Sequence, residues 1–285
     1  MALSPEKLEL YKKQQALKDE DFLAMSEVEF RARFRERIHH TLEIQTYSAA
    51  YRHKKLNATQ ADYAKRLMAV WVKRGLSTEL SDYVYATKIV SIADRLVDGK
   101  EVDLSEFAPH SLSSEGKNGF FQVLKERRSV REYTDQEVPD ELIDEILEAG
   151  LWAAHSCNLQ SIRYLVVREN KEPGLFVGSD IPGGPVHLVV LQDERVYLAN
   201  QFMPIHNRLL DAGAAAQNIA LATHALGLEG VWLTFDDSMV IRLREHFKLP
   251  EYIKIITYVD IGYGDQTPYP PQRGQLKDVV LGRNF

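Results

Sequence analysis

From Glu27 to Ile44 the chain sets Phe30, Phe34, Ile38 and Leu42 four residues apart, a repeat that lines one stripe of an α-helix. Arg31, Arg33, Arg35 and Arg37 fall off that stripe and read as its solvated face. Similar spacing predicts helices over Gln60–Arg74, capped by Asn57 or Thr59, and over Glu79–Val97, ending before Gly99. Strand signals are almost absent from the first 110 residues. Between Leu104 and Asn118 the periodicity is lost and Ser and Gly accumulate. We read residues 1–110 as a helical region, 111–118 as a linker and 119–285 as a second unit.

The texture then becomes mixed. Gly119–Arg128 reads as a short helix and Pro139–Ala154 as a longer one, with proline at its first position and Asp140-Glu141 in its first turn. Tyr164–Val167 and Val186–Leu191 are apolar runs rich in β-branched residues, the pattern of buried strands. Gly230–Thr234 and Ile253–Ile261 predict further strands, with a helix between them capped by Asp236 or Asp237. Asn207–Leu226 reads as a buried helix whose centre, Ala212 to Ala216, is so small that another backbone can approach closely. The proline-rich tail, Pro268–Phe285, has no core of its own and must wrap over something else.

A chain of 285 residues, 45% hydrophobic and 27% charged, belongs with soluble globular proteins. Its net charge of −6 argues against nucleic acid or an anionic membrane as main partner, so any anion site is local. Cys157 is the only cysteine, there is no secretory leader and no membrane-length apolar run. The expectation is a cytoplasmic protein. His39, His40 and Glu43 could ligate a metal, but adjacent histidines point about 100° apart on a helix and we expect no metal site.

The candidate chemistry begins at Arg127-Arg128-Ser129-Val130-Arg131, three guanidiniums and a hydroxyl within five residues. Such a run is either a solvated turn or a grip for a doubly charged anion, since the guanidinium fork pairs with phosphate oxygens and keeps its proton. There is no Walker-type loop, no complete dinucleotide fingerprint and no nucleophile elbow. Downstream, Ser156-Cys157-Asn158-Leu159-Gln160 offers a hydroxyl and two carboxamides able to read a heterocycle's edge. Gly227–Thr234 and Pro270-Pro271-Gln272-Arg273 complete the set.

In order and spacing these segments resemble the nitroreductase-like family of FMN-dependent oxidoreductases over about residues 119–285. The resemblance implies an α+β fold, a mixed sheet flanked by helices, here preceded by an all-α N-terminal region. It also implies a homodimer with FMN between the subunits. Arg127, Arg128, Ser129 and Arg131 then correspond to the grip on the FMN phosphate and ribityl chain, and Arg273 to the tail arginine that closes on it. Ser156, Asn158 and Gln160 correspond to positions that the second subunit brings to the ring, and Thr234 and Phe235 to the wall near its reactive nitrogen. The junction departs from the family's Pro-Ser-Ser-x-Asn-x-Gln-Pro-Trp pattern. Here His155 stands beside the cofactor position, as a spacer or as a proton donor. Only 17 residues, Glu169–Pro185, separate the first two strands, which leaves the site open or covered by the N-terminal helices.

The implied activity passes electrons from NADH or NADPH through FMN to a planar acceptor, nitroaromatic or quinone-like, by a ping-pong route. Two alternatives share the residues: a reductive dehalogenase or flavin-fragmenting enzyme on the same fold, and a non-catalytic flavin-binding or protein-interaction module.

Overall fold

The computed structural model describes residues 5–178, 183–204 and 206–282. Its N-terminal part consists of α1 (Pro5–Gln15), α2 (Asp19–Ala24), α3 (Glu27–Arg35), a π-helical stretch (Glu36–Glu43), α4 (Ile44–Tyr51), α5 (Ala58–Lys73) and α6 (Ser81–Val97). Phe30, Phe34, Ile38 and Leu42 are all buried and pack with Trp71, whose ring lies 4.8 Å from that of Phe34. A strict four-residue repeat drifts about 40° per step around an α-helix. The wider turns of the π-helical stretch take that drift back, so all four side chains reach one core. Asn57 caps α5 through the Thr59 N–H, as expected.

The arginines of α3 depart from expectation. Arg35 is only 8% exposed and Arg33 pairs with Glu29 at 2.9 Å on a largely covered surface. The off-stripe face of α3 is covered by residues far along the chain: Ala32 packs with Leu159, Val196, Tyr197 and Ala199. Local periodicity carries no trace of a partner more than a hundred residues away.

Helix α7 (Ser114–Glu126) starts five residues ahead of the expected Gly119, inside the expected linker, because the Ser113 hydroxyl accepts the Gly116 N–H at 3.0 Å and caps it. None of its side chains is buried. In α8 (Asp140–Leu151) Pro139 stands at the N-cap, one position earlier than expected.

Strands β1 (Ile162–Arg168), β2 (Val186–Asp193), β3 (Glu229–Leu233) and β4 (Ile253–Gly262) form one sheet in the order β1-β2-β4-β3, each pair antiparallel. Among the described residues the parallel component is a single bridge, from Ser129, outside the four strands, to Gly230 of β3. Every residue of β2 is buried, as its unbroken apolar run predicts for a strand covered on both faces. One face packs against α8 and α9 (His206–Ala225) through Ile143, Ile146, Ala212, Ala215, Ala216 and Ile219. The other packs against α10 (Asp237–His246) through Met239 and Leu243, and against Leu175 and Phe176 of the β1–β2 connection. Asp236 caps α10 through the Met239 N–H at 2.8 Å. The tail adds the short α11 (Leu276–Val279) and lies exposed along this chain.

Close approach requires glycine at Gly150, where a Cβ would collide with the Tyr164 hydroxyl, and at Gly230, where one would sit 2.5 Å from the Asp260 carbonyl oxygen.

Candidate functional site

Residues 127–131 leave α7 and run alongside β3. The Val130 N–H donates to the Gly230 carbonyl at 3.2 Å, and the Arg131 N–H to the Gln266 side chain at 3.1 Å. Tyr133 bridges to Gly264, its hydroxyl donating to the Val130 carbonyl at 2.7 Å. These bonds tie the arginine segment to the end of β4 and the start of the tail.

The three guanidiniums have different tasks. Arg128 donates to the carbonyls of Lys125, Glu126 and Arg127, closing the C-terminal end of α7. Arg131 reaches back to the Ser129 carbonyl at 3.4 Å. Arg127 is half-buried and, among the described residues, its guanidinium makes no hydrogen bond or ion pair. Burial, and next the positive charge of Arg273, hold its guanidinium below the ordinary arginine range. Among the described residues the Arg273 guanidinium donates only to the Gln272 carbonyl. Among the described residues none of Arg127, Arg128, Arg131 and Arg273 meets a carboxylate, whereas Arg33, Arg66, Arg168, Arg195 and Arg208 all do. Four cations without a carboxylate in contact, with only the more distant charge of Glu229 acting on Arg127, fit an anionic ligand at one end of β3.

The second cluster is the junction between α8 and β1. Cys157, Asn158 and Gln160 have φ of +50°, +50° and +55°, the left-handed region that disfavours side chains by about 1–2 kcal/mol per residue. Such strain persists only where the surroundings over-determine the loop. The Ser156 N–H and hydroxyl both donate to Asp211 of α9, at 2.9 and 2.8 Å. Leu159 is fully buried, and its carbonyl accepts from Arg35 at 3.0 Å. Arg163 holds the carbonyls of Gln160 and Ile162 at 2.9 and 2.8 Å. The loop thus presents Asn158 and Gln160, whose carboxamides meet at 3.2 Å. His155 is half-buried, and burial lowers its pKa below the ordinary value, so the ring is neutral near pH 7. Burial pushes the Cys157 thiol up, which makes it a packing residue and a poor nucleophile.

Thr234 follows β3 and is exposed, and Phe235 packs on Tyr258 with ring centroids 4.5 Å apart. The predicted residues therefore fall into two groups. Arg127, Ser129, Arg131, Thr234 and Phe235 flank β3 at one edge of the sheet. Ser156, Asn158 and Gln160 precede β1 at the other edge, three strand spacings or about 14 Å away. One chain does not bring the two groups together.

Sequence reasoning missed Asp211, Gln266 and the arginines that grip the junction. Asp211 was the most visible of these, a lone carboxylate beside a buried alanine stripe. Among the described residues no group of three or more His, Cys, Asp or Glu side chains is placed to hold a metal ion, and no helix is long and apolar enough to cross a membrane.

The sequence profile of the Nitroreductase family matches residues 124–204 and 181–263. A provisionally named NADH dehydrogenase/NAD(P)H nitroreductase of Methanothermobacter thermautotrophicus is 31% identical over 159 residues, which are 53% of this chain and 81% of that protein. A provisionally named nitroreductase of Desulfovibrio desulfuricans, crystallised in complex with FMN, is 30% identical with a TM-score of 0.50, covering 58% of this chain and 97% of the other. The NADPH:FMN oxidoreductase of Vibrio harveyi, complexed with NAD+, is 27% identical with a TM-score of 0.51, covering 59% and 78%. The helix-flanked sheet, Arg127, Arg128 and Arg131 beside β3 and the strained junction before β1 all lie within the matched residues, and by that match the chain belongs to the nitroreductase family.

Proposed function

We propose that this protein is an FMN-dependent oxidoreductase that carries electrons from NADH or NADPH to a planar acceptor, nitroaromatic or quinone-like. The observation that carries the reading is the set of four guanidiniums without carboxylate partners at the start of β3. Arg127 and Arg273 bind the FMN phosphate, Ser129 and Arg131 bind the adjoining chain, and Arg128 stiffens the segment by capping α7. Gly230 to Thr234 spans about 13 Å of strand, which suits a ligand with an anionic end and a ring end. Thr234 and Phe235 then wall the ring.

When bound, FMN supplies the redox chemistry, taking a hydride from the reduced nicotinamide and passing electrons to the acceptor. The protein's residues do the placing. Asn158 and Gln160 donate to and accept from the ring edge, Asp211 fixes their loop through Ser156, and the neutral His155 can hold a hydrogen bond beside them. With FMN held there, reductant and acceptor would use the same binding space in turn, as a ping-pong route requires.

The reading includes a homodimer. The two residue groups lie at opposite edges of one sheet, so a complete site needs the junction of a second copy. Large apolar side chains are exposed in the single chain: Phe120 at 54%, Trp152 at 82%, Leu209 and Leu210 at 63% each, and Tyr269 at 92%. Such a surface is expected to be covered in an assembly. The organisation proposed is a helical region up to residue 110 docked on a flavin-binding unit from 119 onward, with NAD(P)H and a small acceptor as its partners.

Purification tests the reading. The expected protein is yellow, releases FMN on denaturation and oxidises NADH or NADPH with a quinone or nitroaromatic. A colourless protein that cannot be reconstituted with FMN contradicts it and favours a non-catalytic module.

A further inference from the structure

A cavity of about 400 Å³ lies where the N-terminal helices meet the junction before β1, lined by Glu27, Arg31, Arg35, His155, Gln160 and Arg163 among others. Its volume falls within the range of small-molecule sites. Three guanidiniums and an imidazole face a single carboxylate, Glu27, whose side chain is 52% exposed and already takes Arg31 at 3.3 Å. Asp82 lies behind the wall, accepting from Arg31 at 2.8 Å and Arg35 at 3.1 Å. Asp193 is held by Arg195 at 2.6 Å and is 3.9 Å from Arg163. The surplus lies in the lining itself, three arginines against one carboxylate; Asp82, Asp193 and Asp211, the last acting on His155, stand behind it.

Among the described residues, two nitrogens of the lining side chains are buried without a hydrogen-bond partner: Nε of Arg35, a residue 92% buried, and Nε2 of His155. Leaving such groups unpaired costs about 1–3 kcal/mol each, more for a charged one. An unpartnered guanidinium N–H on Arg35, three guanidiniums facing one carboxylate and room for a small ring call for an acceptor-rich anion.

We propose that this cavity binds the carboxylate or phosphate of a molecule that reaches the flavin, so that the helical N-terminal region selects for acidic reactants. The proposal rests on the flavin reading above, because it is through His155 and Gln160 that the cavity adjoins the ring site. Two sources of the anion are possible: an acid group on the acceptor, and the extra phosphate of NADPH.

The experiment uses the FMN-loaded protein. KM is compared for 4-nitrobenzoate against 4-nitrobenzyl alcohol with NADH, and for NADPH against NADH with the alcohol. A KM about tenfold lower for the charged member of either pair, the equivalent of one charge-assisted hydrogen bond, is expected. In Arg163→Gln that ratio is expected to fall toward one. Preference in the first pair assigns the anion to the acceptor, and preference in the second assigns it to the nicotinamide. Ratios of one in both pairs, or a preference that Arg163→Gln leaves unchanged, overturn the proposal. Should that variant not fold, the wild-type preference must shrink between low and about 0.3 M salt, and a salt-independent ratio overturns it. A protein that holds no FMN contradicts the flavin reading alone. The cavity is then tested by calorimetric titration with 4-nitrobenzoate and with inorganic phosphate, where saturable binding of either supports the anion site and no binding overturns it.

Discussion

Arg35 and Asp82 meet at 3.1 Å between α3 and α6, and the same guanidinium donates to the Leu159 carbonyl at 3.0 Å. One buried cation therefore ties two N-terminal helices to the strained junction that carries Asn158 and Gln160. Burial holds Arg35 below its ordinary pKa range, and Asp82 compensates only in part.

Removing one partner of a buried pair leaves the other charge stranded, at a cost of about 3–5 kcal/mol. We expect Asp82→Ala to lose roughly 3 kcal/mol, since Arg35 keeps Leu159 as a partner. Urea denaturation measures this, and a loss below about 1 kcal/mol contradicts the role given to the pair.

Gly150 and Tyr164 define a packing constraint. Gly150→Ala forces a methyl against the Tyr164 hydroxyl and should cost about 1–3 kcal/mol. That hydroxyl is buried without a partner, so Tyr164→Phe is expected to be neutral or stabilising, and to rescue part of the loss in the double variant. Additive losses in thermal denaturation contradict the contact.

His39 and Glu43 pair at 2.5 Å. The hydrogen bond to Glu43 raises the His39 pKa above its ordinary value. Burial pushes Glu43 up, but the hydrogen bonds from His39 and Tyr85 bring it below the carboxylate range. The raised histidine stabilises the fold below about pH 6.5, and that contribution disappears as pH rises through the folded-state value. His39→Gln should therefore destabilise at pH 6 and make little difference at pH 9. The effect is expected to stay below about 1 kcal/mol because the pair is partly exposed. His155 shifts the other way, so its NMR titration is expected below pH 6.5 while that of His39 lies above. Coincident titrations contradict both assignments.

The dimer has a direct reading in sedimentation. The FMN-loaded protein is expected to sediment as two chains at micromolar concentration, and a flavin-loaded monomer contradicts the composite site.

Much of this architecture was legible in the chain. The stripe from Phe30 to Leu42, the unbroken apolar run of β2 and the caps at Asn57 and Asp236 are local signals with local causes, and the structure follows them. Arg35 was not legible as a buried residue, because its partners Asp82 and Leu159 are 47 and 124 positions away. The start of α7 was obscured by Gly116 and Gly119, which weaken a helical pattern even where Ser113 caps it. At the candidate site, residue types at Arg127–Arg131 and Ser156–Gln160 were sufficient to propose a ligand. Which arginine stays free and which caps a helix is decided by backbone geometry that spacing does not encode.

The grip on the phosphate is decided by fluorescence titration of the wild type, Arg127→Ala and Arg273→Ala with FMN. The wild type is expected to bind saturably and each variant to lose about 1–3 kcal/mol, one charge-assisted contact to the phosphate apiece. Unchanged affinity in both variants, or no saturable binding by the wild type, would contradict that grip.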